Sequence, residues 1–248
     1  MKFFRKIRQN LLSDGKTGQY LKYAIGEIVL VVLGILIALQ INNWNQNKQL
    51  EKEELDTLKS LHESIRINID EFEQIRKAQI VRNNSLQEIL FKKVSNQPLA
   101  YLDSLIITNV ENHTFDPSTG IYNSIINSGK IELISNDSLK NRISKLYDSV
   151  KDYQEIEDEI TAYTREHLEK NFIENYSIQP EVLAKLRERT DEEKEKDKAS
   201  FIKVFNSQKV KNIYIMLLKK MDEVIIRGEY LESEYHSLLT ALENEINN

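Results

Sequence analysis

From Ala24 to Ile41 only Glu27 and Gln40 interrupt a run of apolar residues. Counted through to Trp44, the stretch is about 21 residues, which at 1.5 Å per residue matches a bilayer core of roughly 30 Å. Beyond Trp44 the pattern turns into stripes. Leu58, Leu61, Ile65, Ile69 and Phe72 recur at three- and four-residue steps, the signature of one helix face. Ile80, Leu86, Ile89, Leu90 and Val94 carry that face to a stop at Asn96-Gln97-Pro98. The pattern leaves open a break near Asn83-Asn84, and whether this helix continues the apolar stretch without interruption.

A shorter helix is predicted over 99–110, followed by a loop over 113–120, HTFDPSTG, dense in turn residues. Residues 121–127 come next, stopped by Ser128-Gly129, where the glycine suits a left-handed C-terminal position. After residues 130–134, Ser135-Asn136-Asp137 offers N-caps to a long helix striped by Leu139, Ile143, Leu146, Val150 and Tyr153, running to about Asn175 ahead of Pro180. The charge run RERTDEEKEKDK, within 181–198, reads as a solvated helix or connector. The last helix places Val210, Tyr214, Leu217, Met221, Val224, Gly228, Leu231, Tyr235, Leu238 and Leu242 in unbroken 4, 3 alternation, as left-handed bundle or coiled-coil packing requires. Long helices are therefore expected near 46–95, 136–175 and 208–246. The expected fold is all-α: one N-terminal transmembrane helix followed by an elongated antiparallel helical bundle.

Composition agrees. Only 7 Gly and 3 Pro among 248 residues leave few places to turn, against the needs of a turn-dense β architecture. With no cysteine, disulfides, thiolate metal sites and cysteine nucleophiles are excluded. Charge adds direction. Lys2, Arg5, Lys6, Arg8, Lys16 and Lys22 against Asp14 give residues 1–22 a net charge of +5, which leaves −10 for the rest of a chain whose total is −5. A basic head on an acidic body suits a head that meets anionic lipid, and no nucleic-acid stripe is evident.

The flanks of the apolar stretch fit a membrane span. Tyr20 and Tyr23 stand at one end and Trp44 at the other, where amphipathic rings favour the headgroup level. Ala38-Leu39-Gln40 and the following Ile-Asn-Asn lack the small-x-small pattern of a cleaved signal, so the helix is expected to stay attached. The basic head then keeps the N-terminus cytoplasmic and sends the residues from about 45 onward across the membrane. The expected organisation is a basic head over 1–22, able to lie as an amphipathic helix on the leaflet, a transmembrane helix over 23–44, and an extracytoplasmic bundle over 45–248. Glu27 has two readings: a carboxylate reaching back to the interface, or one member of the stripe Glu27, Val31, Gly34, Ala38 and Ile41, whose small residues permit close helix pairing.

FFRKIRQNLL followed by KYAIGEIVLVVLGILIALQINNWN resembles the N-terminal signature of an uncharacterised family of Bacteroidota proteins containing a domain of unknown function. The resemblance is closest over 3–45 and extends loosely through NSGKIELISNDSLKNRI. It implies a single-pass membrane protein with a helical extracytoplasmic domain, and the expected location is a bacterial inner membrane with that domain periplasmic. No activity and no catalytic residue transfer with it.

Candidate chemistry is sparse. His62, His113, His167 and His236 have no metal-ligand partner four residues on, and no HExxH, GxSxG, Walker or dinucleotide pattern occurs. Asp152, Glu155, Glu157, Asp158 and Glu159 point in several directions around a helix and read as a solvated face. No catalytic residue, metal ligand or cofactor is therefore assigned. The least generic stretch is FDPSTGIYNSIINSGKIELISN, residues 115–136, with Phe115, Asp116, Tyr122 and Asn123 the candidate contacts for a ligand or partner. The same stretch would also serve as a connection folded over the bundle. The leading expectation is a non-enzymatic, membrane-anchored interaction or scaffold protein, whose partners are the lipid bilayer and a second copy or another envelope protein. The rival expectation is a ligand-binding sensory module that signals through a partner membrane protein.

Overall fold

The computed structural model describes residues 17–92, 94–175 and 186–247. Residues 1–16 of the basic head and Pro180 lie outside the described residues. Those described are all-helical. In order they form α1 (Thr17–Phe91), a 3-10 turn (Val94–Asn96), α2 (Leu99–Val110), α3 (Gly120–Asn127), a 3-10 turn (Lys130–Leu133), α4 (Asp137–Tyr163), a π-helical turn (Thr164–Glu169), α5 (Lys170–Asn175), α6 (Asp191–Phe205) and α7 (Gln208–Asn247). The chain divides into two compact units, with the boundary between Asp56 and Thr57.

In the first unit, residues 17–56 are all part of α1. Its apolar stretch is long enough to cross a membrane and none of it is buried within the protein. The helix passes Asn83-Asn84 without a break.

The second unit holds the core. Leu58, Leu61, Ile65, Ile69 and Phe72 of α1 are buried, as are Leu139, Ile143, Leu146, Val150 and Tyr153 of α4. All ten stripe positions of α7 are buried as well. Gly228 is among them because Arg76 and Tyr153 crowd it: a Cβ there would stand 3.1 Å from Arg76 Nε and 3.4 Å from a Tyr153 ring carbon. One predicted core position fails, since Ile80 is 39% exposed. The inward positions of that turn belong instead to Gln79, Arg82 and Asn83, all buried. The inward positions of α4 also continue past Tyr153, through Glu157 and Ile160 to Thr164 of the π-helical turn.

Local chemistry sets the ends. Asn136 caps α4, its side-chain oxygen accepting from the Leu139 N–H at 3.2 Å. Thr190 and Glu193 form a reciprocal capping box at α6. Gly129, at φ 73°, turns the chain between α3 and the 3-10 turn in the left-handed conformation that a glycine adopts without steric cost. Phe201 and Phe205 fix α6, with Phe205 edge-on to Tyr214 of α7 at 5.6 Å and Tyr214 in turn 6.4 Å from Phe172 of α5.

Candidate functional site

The segment between α2 and α3 is a strap fastened by its own backbone. Asn68 of α1 donates to the Ser118 carbonyl at 3.3 Å and accepts from the Ser118 N–H at 2.9 Å, so one amide side chain pairs with the strap as a neighbouring strand would. Gln79 donates to the His113 carbonyl at 3.1 Å, and Gln154 of α4 to the Phe115 carbonyl at 3.0 Å. The Phe115 N–H donates to the carboxylate of Glu157, 3.0 Å from Oε2. Its ring enters the core, only 2% exposed, 4.8 Å from Phe72 and 6.1 Å from Tyr235.

The four candidate contact residues therefore have different settings. Phe115 is a core anchor and Asp116 is exposed. Tyr122 is half-buried, stacked on Tyr147 at 4.6 Å, and burial pushes its hydroxyl pKa up. Asn123 is exposed and donates to Thr119 Oγ1 at 3.3 Å. Beneath the strap lies a crevice of about 40 Å³ lined by Ser64, Asn68, Ser118, Tyr122, Tyr147 and Tyr235 among others. That is room for water, since pockets for small-molecule ligands span roughly 300–1,000 Å³.

Below the strap two ionisable side chains, Glu157 and Arg82, are buried in separate layers. Glu157, 3% exposed, accepts from Gln79 Nε2 at 2.7 Å, and the Tyr153 hydroxyl donates to Gln79 Oε1 at 2.6 Å. Burial raises the Glu157 pKa to about 8, outweighing the Phe115 N–H and Gln79 bonds that favour the anion, with Asp158 adding to the rise. The expectation of a solvated face fails at this residue, because Glu157 occupies the next inward step of the α4 stripe.

One turn further along α1, Arg82 is 2% exposed. Its guanidinium donates to the Asn109 carbonyl at 2.6 Å, Thr164 Oγ1 at 2.7 Å and Asn112 Oδ1 at 3.0 Å, joining α1 to α2 and to the π-helical turn. Desolvation lowers its pKa to about 10, against the pull of Tyr214 and Glu169. The Tyr214 hydroxyl, raised by burial, and Arg82 Nε have no hydrogen-bond partner among the described residues. The paired polar groups of both layers hold helices and strap together.

The charge run has a largely enclosed member too. Arg189 pairs with Asp103 of α2 at 2.6 Å and with Asp197 of α6 at 3.0 Å, all three side chains largely enclosed. A groove of about 700 Å³ opens beside this triad, lined by Pro98, Leu99, Ile107, Thr108 and Lys194.

In the first unit, Tyr23 and Trp44 are exposed, and Lys48 lies 5.8 Å above the Trp44 ring. Tyr20 is helical. Val31, Gly34, Ala38 and Ile41 are exposed and Glu27 partly so, with nothing within 4 Å of a Cβ placed on Gly34.

One potential ligand set escaped the sequence scan. Glu73 of α1 and Glu232 and His236 of α7 bring one donor atom each within 4.8 Å of the others. No ligand stands four residues after His236, because Glu232 lies four before it and Glu73 arrives from another helix.

The fold and these buried layers define an all-helical protein with one helix able to cross a membrane. The chain belongs to a family of unknown function, DUF6090, whose model matches residues 27–204. That match takes in most of the apolar stretch and every described helix through most of α6. No curated protein and no solved structure matches the chain.

Proposed function

We propose that this protein is a non-enzymatic, single-pass scaffold of a bacterial inner membrane, whose periplasmic domain is an elongated antiparallel helical bundle that binds a second copy or another envelope protein. The observation that carries the reading is the apolar stretch of α1, none of it buried, on a helix long enough to span. Exposed leucines, isoleucines and valines in such number need a solvent other than water.

The antiparallel bundle is supported by cross-helix pairs. His62 meets Glu243, Arg76 meets Glu229 and Asn83 meets Asp222, so numbers rise along α1 as they fall along α7. Lys145 meets Glu234 and Lys220 meets Glu159 with the same inverse order between α4 and α7. The interaction reading is supported by Ile215, Met216, Ile226 and Tyr230, which are exposed on α7. At 100° per residue they fall within about 100° of arc, one face of the helix. The small crevice beneath the strap speaks against a ligand pocket at residues 115–136, where the sensor reading places one.

The test is mild cross-linking in cells, then purification of tagged protein from native membranes and identification of what accompanies it. The scaffold reading expects a specific envelope protein or a defined oligomer, lost on replacing Ile226 and Tyr230 with Glu. Recovery of uncross-linked monomer, with a small metabolite that raises its melting temperature, would replace it with the sensor reading.

A further inference from the structure

Glu232 and His236 are one turn apart on α7, the spacing that puts two side chains on one helix face. Glu73 of α1 faces them, and the three donor atoms lie within 4.8 Å of one another. The two carboxylates are partly buried and the imidazole is exposed. We propose that Glu73, Glu232 and His236 form a binding site for one divalent transition-metal ion of the zinc class, which braces α1 against α7.

The donor set selects that class. An imidazole with two carboxylates suits zinc and its neighbours, whereas calcium and magnesium take oxygen ligands. Zinc bonds to such donors at about 2.0–2.2 Å, so a tetrahedral site holds them about 3.3 Å apart. The side chains need to close by at most roughly 1.5 Å, and the imidazole of His236 is exposed. A fourth position would remain for water.

Two cations stand beside the site and bear on it in opposite ways. Arg76 pairs with Glu232 through Oε2, and Lys77 lies 3.3 Å from Oε2 of Glu73. Each carboxylate thus has one oxygen oriented by a cation, as ligating carboxylates commonly are. Their positive charge also opposes a second cation, so the account requires that zinc binding survive it. The rival account is that both glutamates serve Arg76 and Lys77 alone.

The experiment uses the full chain in detergent, stripped by a chelator and titrated with Zn²⁺ in a calorimeter, with metal content measured after dialysis. The expected result is one Zn²⁺ per chain and a rise in melting temperature on binding. His236→Ala and Glu73→Gln should each weaken binding about tenfold or more, and His113→Ala should leave it unchanged. His236→Ala alters an exposed side chain, and its circular dichroism and metal-free melting temperature check that the variant is folded. Absence of stoichiometric binding at micromolar Zn²⁺ would overturn the proposal in favour of the ion-pair account. Binding that both variants retain in full, or that His62→Ala abolishes instead, would overturn it equally.

Discussion

Residues 21–41 and 57–91 are segments of one helix, α1, and they treat apolar side chains in opposite ways. In the first, Leu33 is 52% exposed and its apolar neighbours are similarly open on every side. In the second, Leu58, Leu61, Ile65, Ile69 and Phe72 are enclosed along one face while the opposite face is charged. The contrast teaches that hydrophobic content alone does not say where a helix belongs. An apolar surface without direction asks for an apolar solvent, and a striped surface asks for neighbouring helices.

The sharpest way to break this comparison is to charge the first segment. Leu33→Arg together with Leu36→Arg opposes insertion by about 2.5–3.5 kcal/mol per arginine. The double variant should leave carbonate-washed membranes, and its full retention there would remove lipid from the account. Next in size is a matched truncation. Leu61→Ala should lower unfolding free energy of the micelle-bound chain by about 2–5 kcal/mol, and Leu33→Ala by no more than about 0.5 kcal/mol. Equal losses in denaturant titration would erase the distinction between segments.

Gly228→Leu probes a close approach between helices in the second unit. Overpacking against Arg76 and Tyr153 should cost about 1–3 kcal/mol in the same titration, and an unchanged midpoint would contradict the contact.

The buried acid sharpens the comparison through pH. Glu157 has a folded pKa of about 8, above the ordinary carboxyl value of 4.5, so the folded state binds its proton more tightly. Its contribution is fully present below pH 4.5 and is lost as pH rises to about 8, with a slope of at most about 1.4 kcal/mol per pH unit. Glu157→Gln should therefore gain stability relative to the parent across that window. Parallel stability curves for the two chains would show that the carboxyl is not desolvated as described. The smallest effect is at the surface, where Lys220→Ala should change stability by under about 1 kcal/mol, because the Glu159 partner is exposed to water.

Much of the fold was legible because its stripes are made of unambiguous residues. The α7 series from Val210 to Leu242 and the α4 series from Leu139 to Tyr153 name the inward faces directly, and Asn136 and Gly129 mark ends through well-defined backbone chemistry. The central layers were illegible for a physical reason. At Gln79, Arg82, Asn83 and Glu157 the inward position is polar, so hydrophobic periodicity falls silent where polar groups satisfy one another across the core. Continuing the α4 step pattern past Tyr153 would have reached Glu157 and singled it out from the acids around it. The pairing of Asn68 with Ser118 has no comparable signal, because it joins residues 50 positions apart through an ordinary amide. Nor does the burial of Arg189 within a charge run, which depends on Asp103 arriving from α2.

The absence of cysteine makes the central claim directly measurable, since single-cysteine variants carry no background. Lys16→Cys and Lys209→Cys place thiols on either side of the apolar stretch and can be treated with a maleimide that does not cross the inner membrane. The account predicts that Lys209→Cys is labelled in cells with a permeabilised outer membrane and Lys16→Cys only after lysis. Labelling of both in unlysed cells, or the reverse order, would contradict it.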